Sequence, residues 1–266
     1  MNQFIRKANI ILGTSNLSSE RYDFEFDVEF DDTSKKDLAE VVFYNLSHDR
    51  INSIKKGTPI IINAGYENDV GTVFLGAVYD MDTIKRGVNR ETTVKAVDAT
   101  DQRDKLKVNK TYKEGTRASQ IIADLCQIVG LSIGKLELPK DVQYRNGKNE
   151  QGVILQRLKL LAKDSGAKFN ISKGMAYFRP PGSGDDVQFI FSPERGLIGS
   201  PEPFIDEDED ENELKGFNVS ALLNHRIQPN SIVNIEAKDV KVKGRVRSGT
   251  HSYSDREMIT EMEVVV

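Results

Sequence analysis

The chain has 266 residues, 38% of them apolar, which suits two domains and a substantial core. A formal net charge of −4 implies no general nucleic-acid affinity, since a DNA binder normally carries a cationic excess to neutralise phosphates. The single cysteine, Cys126, excludes an intramolecular disulfide and a cysteine metal cluster and fits a reducing compartment, or a particle assembled in one.

Met1–Thr14 carries Arg6 and Lys7, but its apolar run, Ile10–Leu12, is too short for a signal peptide. No stretch approaches about 18 apolar residues, so no membrane span and no membrane partner are expected. Tyr22–Asp31 alternates strictly: Tyr22, Phe24, Phe26, Val28 and Phe30 share one side, and Asp23, Glu25, Asp27, Glu29 and Asp31 the other. That period predicts a half-buried strand. Ala39–Tyr44 is a second strand. Ser47 is placed to cap a short helix holding Ile51 and Ile54 that ends at Gly57. Strands follow over Thr58–Tyr66, Thr72–Met81 and Glu91–Asp98, separated by turns at Asn68-Asp69 and Arg86-Gly87. So many strands with one helical turn in the first 100 residues predict a small barrel.

The pattern then changes. Thr116 is the expected N-cap of a helix over Arg117–Val129, stopped by Gly130, with Ile121, Ile122, Leu125, Cys126 and Val129 on its inner stripe. Leu131–Leu138 reads as a strand. Gln151–Ser165 is a second amphipathic helix, carrying Ile154, Leu155, Leu158, Leu161 and Ala162 on one side and ending at Gly166. Lys168–Ser172 and Met175–Arg179 form a hairpin about Lys173-Gly174, and Pro180–Gly184 is a turn or linker. The last third returns to strands at Val187–Phe191, Leu214–Leu223, Ser231–Ala237, Val240–Val246 and Met258–Val266. The expected fold is therefore α+β and mainly β: two small β-barrel domains, 1–100 and 187–266, with an α/β insert at 101–186 between them. Exchange of strands between the two barrels is left open.

The chain lacks a phosphate-binding glycine loop, a dinucleotide fingerprint and a His-Glu-x-x-His zinc motif. His48, His225 and His251 are too scattered to suggest a metal trio, and Cys126 reads as a buried structural thiol. Gly182-Ser183-Gly184 follows two prolines and reads as a turn, not a nucleophile elbow. Asp206–Glu213 holds seven acidic residues without the glycine-punctuated spacing of a calcium loop, so it reads as solvated. No catalytic constellation, no metal and no cofactor are expected. Two charged strand faces stand out instead: Asp23, Glu25, Asp27 and Glu29 near the N-terminus, and Lys241, Lys243, Arg245 and Arg247 near the C-terminus. They are either solvated faces, or candidate subunit-interface residues that meet across copies, or, for the acidic set, a pore lining.

Several segments, in order, carry a family likeness. They are Gly65-Tyr66 followed by Val73-Phe74-Leu75-Gly76-Ala77-Val78; Tyr112-Lys113-Glu114-Gly115-Thr116 opening a helix with Ile121-Ile122; and Leu158–Phe169 with Leu161-Ala162 and Gly166. Next come Gly196-Leu197-Ile198-Gly199-Ser200-Pro201 and Leu222-Leu223-Asn224-His225-Arg226-Ile227-Gln228-Pro229-Asn230; then His251, Asp255, Thr260 and Glu261. Together the chain resembles phage tail and baseplate hub proteins, and the hub portion of type VI secretion spikes. His225 departs from an expected proline, Asn230 from a glycine and Met258 from an aromatic. The resemblance implies a non-enzymatic, structural subunit of the virion tail, assembled in the host cytoplasm. It implies a homotrimeric, pseudo-sixfold ring joining the tail tube to a central spike or tip. Tube, spike and tape-measure proteins are the implied partners, and DNA passes only as cargo. A distal-tail or tube-like protein is the alternative, and a tail-associated wall hydrolase a more distant one.

Overall fold

The computed structural model describes residues 5–33, 36–98, 105–207 and 213–266. The chain divides into two compact units: one takes described residues from 1–32, 37–97 and 184–266, the other from 33–36 and 98–183. The protein is mainly β.

The larger unit is built on strands β1 (Arg6–Leu12), β2 (Ser15–Ser18), β3 (Phe24–Asp31), β4 (Leu38–Tyr44), β5 (Pro59–Tyr66), β6 (Asp69–Arg86) and β7 (Asn89–Asp98), with helix α1 (His48–Ser53) after β4. The smaller unit contributes β8 (Lys107–Tyr112), β9 (Thr116–Arg117), α2 (Ala118–Val129), β10 (Ser132–Leu136), β11 (Gln143–Tyr144), β12 (Lys148–Val153), α3 (Ile154–Asp164), β13 (Lys168–Ser172) and β14 (Met175–Arg179). The larger unit resumes with β15 (Asp185–Phe191), β16 (Leu197–Glu207), β17 (Glu213–Leu222), β18 (Ser231–Glu236), β19 (Lys241–Tyr253) and β20 (Met258–Val265).

In the larger unit the strands form one 13-stranded sheet in the order β16-β17-β20-β19-β3-β4-β7-β6-β5-β1-β2, with β15 and β18 attached through β19. Among the described residues its hydrogen bonding starts at β16 and ends at β2, so the expected closure into two barrels is not seen. The reason lies in β3. Its free edge pairs antiparallel with β19, Phe26 opposite Tyr253 and Asp31 opposite Ser248, so the edge that would close an N-terminal barrel instead joins the two ends of the chain. A bulge between Val246 and Ser248 lets the 13-residue β19 serve β18 with its first half and β3 with its second.

Two hydrophobic cores share this sheet. One gathers inward residues of β1–β7 such as Ile10, Phe26, Phe43 and Ile62 with Leu223 and Met258; the other gathers Phe30, Phe191, Ile227, Val233, Val246 and Val264. The Tyr66 hydroxyl donates to the Met258 carbonyl at 2.8 Å, and the Arg6 guanidinium donates to the carbonyls of Ser254 and Asp255. Buried His251 lies on Phe30 and bonds Thr260 Oγ1 at 2.7 Å, which gives two residues of the closing motif a packing role. Asn230 takes φ +68°, a left-handed conformation that asparagine tolerates, and Arg245 braces its side-chain oxygen. The glycine expected there is therefore dispensable.

In the smaller unit β8 pairs with β12, and α2 and α3 pack through Ile121, Leu125, Ile154 and Leu158 over the β10-β14-β13 sheet. Two like clusters fasten the helices. The Tyr112 hydroxyl and Lys110 both donate to Asp124 on α2; the Tyr144 hydroxyl and Lys148 both donate to Asp164 on α3. The helix start differs from expectation. Thr116 pairs with Tyr144 in a strand, and the first free N–H groups of α2 are met by the Val142 carbonyl and by Asp141, which accepts from Ser119 N at 2.9 Å. No helix among the described residues is long and apolar enough to cross a membrane.

Candidate assembly surface

Strict alternation in β3 buries Phe24, Phe26, Val28 and Phe30 and turns the acidic set outward. Asp23, Asp27 and Glu29 are exposed. Glu25 is half-buried and accepts the Tyr44 hydroxyl at 2.5 Å; that bond to a carboxylate is the main cause pushing the phenol up to about 12. Asp27 accepts from Ser252 Oγ at 2.6 Å and lies directly opposite Glu40. Glu40 in turn pairs with Lys95 at 3.4 Å. Through Thr250, Glu29 is in register with Glu261 of β20; through Ser248, Asp31 is in register with Glu263. Pairing thus widens one acidic edge into an acidic sheet face. Directly opposed like charges such as Asp27 and Glu40 cost a few tenths of a kcal/mol to about 1 kcal/mol.

The basic strand is a different kind of feature. Lys241 is exposed at the start of β19. Lys243 donates to Asp186 at 2.7 Å, and that hydrogen bond is the main cause holding the Asp186 carboxyl below the usual range. Arg247 donates to Asp206 at 2.6 Å, lowering that carboxyl in the same way, and stands 3.8 Å from Glu263. Arg245 is largely enclosed, binding Asp32 at 2.5 Å and Asn230 at 2.8 Å. Three of the four cations are therefore paired inside the chain. The basic half of β19 lies end to end with the half that borders the acidic face, and the two sets do not meet face to face. Of the acidic run Asp206–Glu213, the stretch 208–212 lies outside the described residues.

A second polar cluster had no sequence signal, because its partners are 157 residues apart. Asp69, at the start of β6, takes two hydrogen bonds from the Arg226 guanidinium, at 2.5 and 2.7 Å, and lies 3.8 Å from His225 Nε2. The Arg226 hydrogen bond is the largest cause holding the Asp69 carboxyl below its usual range. The His225 ring packs against Gly71, where an added Cβ would come within 2.1 Å of the ring. A β6 residue without a side chain is what admits histidine where proline was expected. Beside this cluster a small cavity opens among Tyr66, Phe189–Phe191, Leu222 and Leu223. Among the described residues no group of three or more His, Cys, Asp or Glu side chains is arranged to hold a metal.

No protein-family model and no curated protein matches the chain. Its fold, however, is one seen before, in phage tail proteins and type VI secretion components. The 43 kDa tail protein of prophage MuSo2 from Shewanella oneidensis superimposes with a TM-score of 0.72, covering 98% of each chain at 11% identity. A tail protein from Neisseria meningitidis MC58 gives 0.69 at 10% identity, covering 99% of this chain and 97% of that one. The Escherichia coli c3393 protein, a type VI secretion component described as similar to the T4 tail proteins gp27 and gp5, gives 0.67 at 10% identity, covering 96% of this chain and 76% of that one. The resemblance read from the ordered motifs is borne out at the level of the fold.

Proposed function

We propose that this chain is a structural tail or baseplate hub subunit, which assembles as a trimeric ring and joins the tail tube to a central spike or tip. The observation that carries this reading is the near-complete, two-way coverage of two tail proteins by the whole chain, both units included. The two separate cores on one sheet support it further: one lobe around each, repeated in three subunits, would supply six positions around a sixfold tube. Tube and spike proteins are its partners, a tape-measure protein adjoins it, and DNA crosses the lumen only as cargo. The ring is assembled in the host cytoplasm and works in the virion tail.

Asp23, Glu25, Asp27 and Glu29, extended by Glu40 and Glu261, form the negative side of the subunit contact. Because Lys243, Arg245 and Arg247 are paired within the chain, Lys241 is the member of the basic strand that, among the described residues, is left to serve between copies. Negative-stain imaging of the purified chain with its tube protein tests the reading. Threefold rings capping tubes are expected, and cell-wall zymograms are expected to stay uncleared. Sixfold rings built from this chain alone, or wall digestion, would reject it.

A further inference from the structure

The connection from β17 to β18 is fastened by a chain of hydrogen bonds whose direction is fixed by chemistry. A carbonyl can only accept, so the 3.2 Å bond between His251 Nε2 and the Ile227 carbonyl puts the ring proton on Nε2. In a neutral ring Nδ1 must then accept, and the Thr260 hydroxyl, 2.7 Å away, donates to it. The Thr260 oxygen in turn receives the Asn224 N–H, at 3.4 Å. The chain leaves the connection at Asn224, crosses β20 and β19, and returns to the connection at Ile227. Ile227 N also donates directly to the Asn224 carbonyl at 3.0 Å, closing the loop.

The site suits a neutral ring and opposes a charged one. His251, Thr260 and Ile227 are all buried, and the ring lies 4.8 Å from Phe30 and opposite Val28. The charged and titratable groups of the elements around it are directed to other contacts. On β3 and β20, Glu29 and Glu261 are exposed in the outward rows. Along β19, Tyr253 stacks on Phe26, and Tyr66 donates to the Met258 carbonyl. In the connection itself, Arg226 and His225 face Asp69. A second ring proton, on Nδ1, would meet the Thr260 hydroxyl as donor against donor. It would also place a cation among Phe30, Val28 and Ile227, away from water.

We propose that His251 is an acid-released clasp: the neutral ring holds residues 224–229 against the sheet, and the protonated ring lets them go while the sheet stays paired. The released stretch ends at Asn230, which is anchored separately through its N–H to the Val246 carbonyl and through its side chain to Arg245. Opening draws Ile227 out of its core and brings water to the ring. His225 acts with the opposite sign, because a proton there adds an ion pair with Asp69, 3.8 Å away. The clasp is a property of the folded chain and does not depend on the proposed ring.

Hydrogen-exchange mass spectrometry of the full chain between about pH 7.5 and 4.5, corrected for the intrinsic pH dependence of exchange, tests it. A water-exposed histidine charges near about pH 6.5, so opening of the 224–229 peptide is expected to rise about tenfold per pH unit below that value. Peptides of β3, β19 and β20 are expected to stay protected. Asp69, held below 3.8, keeps its charge throughout this range and does not contribute. His251→Gln, an amide with a donor and an acceptor but no titration, is expected to abolish the pH dependence, and His225→Gln to retain it. Nitrogen NMR of the wild-type imidazoles gives a second reading that needs no variant: a neutral, Nε2-protonated His251 ring is expected in the closed form at both ends of the range. Protection of 224–229 that ignores pH, or a His251 ring that charges while the stretch stays protected, overturns the clasp. So does a pH dependence that survives His251→Gln, or a loss spread evenly over the sheet.

Discussion

Replacing Arg245 decides what the basic strand is for. If it faced another copy, the loss would appear in assembly; the structure instead places it in an internal cluster with Asp32 and Asn230. The Arg245 and Asp32 side chains are only 14% and 9% exposed. Removing one partner of a buried pair costs about 3–5 kcal/mol, because the other charge is left behind in a poorly solvated place. The rim here still admits water, so Arg245→Met should cost about 2 kcal/mol, within the range of a single charged hydrogen bond. For a unit of this size that is a fall of about 4–8 °C in melting temperature. The double variant Arg245→Met with Asp32→Asn should recover more than half of the loss, since no charge is then stranded. Lys241→Met, at an exposed site, should change stability by less than about 0.5 kcal/mol. Calorimetry on all four chains is the assay. Equal, small effects for Arg245→Met and Lys241→Met, combined with loss of assembly in both, would refute the reasoning and return the whole strand to the subunit interface.

Other outcomes are equally definite. Asp69, held below its ordinary range mainly by Arg226, contributes stability that is fully present above its unfolded value near 3.8 and is lost as pH falls through the lower folded value. Acid titration of the wild type should therefore show a loss that Asp69→Asn, already destabilised at pH 7, lacks over the same range. Gly249 faces Phe30 and the Glu261 carbonyl so closely that an added Cβ would lie 2.6 and 2.4 Å from them, and the carbonyl is backbone that cannot swing aside. Gly249→Ala should accordingly cost at least about 1–3 kcal/mol by overpacking, measured by denaturant midpoint. In the smaller unit, Leu158 is fully buried between α3 and its core, and Leu158→Ala should cost about 2–5 kcal/mol. Glu150 is pushed above its ordinary range by burial, more than Lys148 and Arg157 pull it back, so its ionisation weakens the fold as pH rises past the carboxylate range. Glu150→Gln should be the more stable chain at pH 8 and lose that advantage at pH 4; the reverse order would show that Arg157 dominates instead.

Much of the fold was legible because local patterns determine it. The alternation in β3, the stripes of α2 and α3, the Ser47 cap and the glycine stops at Gly130 and Gly166 are short-range signals, and each has a counterpart in the structure. What stayed hidden depends on partners far along the chain. β1 and β2 hold only short apolar runs and become strands because β5 pairs with β1. Lys148–Val153 has almost no strand character and is one because β8 lies beside it. The β3–β19 pairing, which replaces two closed barrels with one continuous sheet, joins residues more than 200 positions apart. At the surface, the sign of each charged face was readable, but its availability was not: Lys243, Arg245 and Arg247 look equivalent in a row and differ only in the carboxylates that the fold brings to them.

The proposed role requires copies of this chain to close into a threefold ring. Native mass spectrometry of the full chain across a concentration series, with and without its tube protein, tests that most directly. A closed species of three subunits, each 29.8 kDa, is the expected result. A monomer under every condition, or a sixfold closed species, would contradict it.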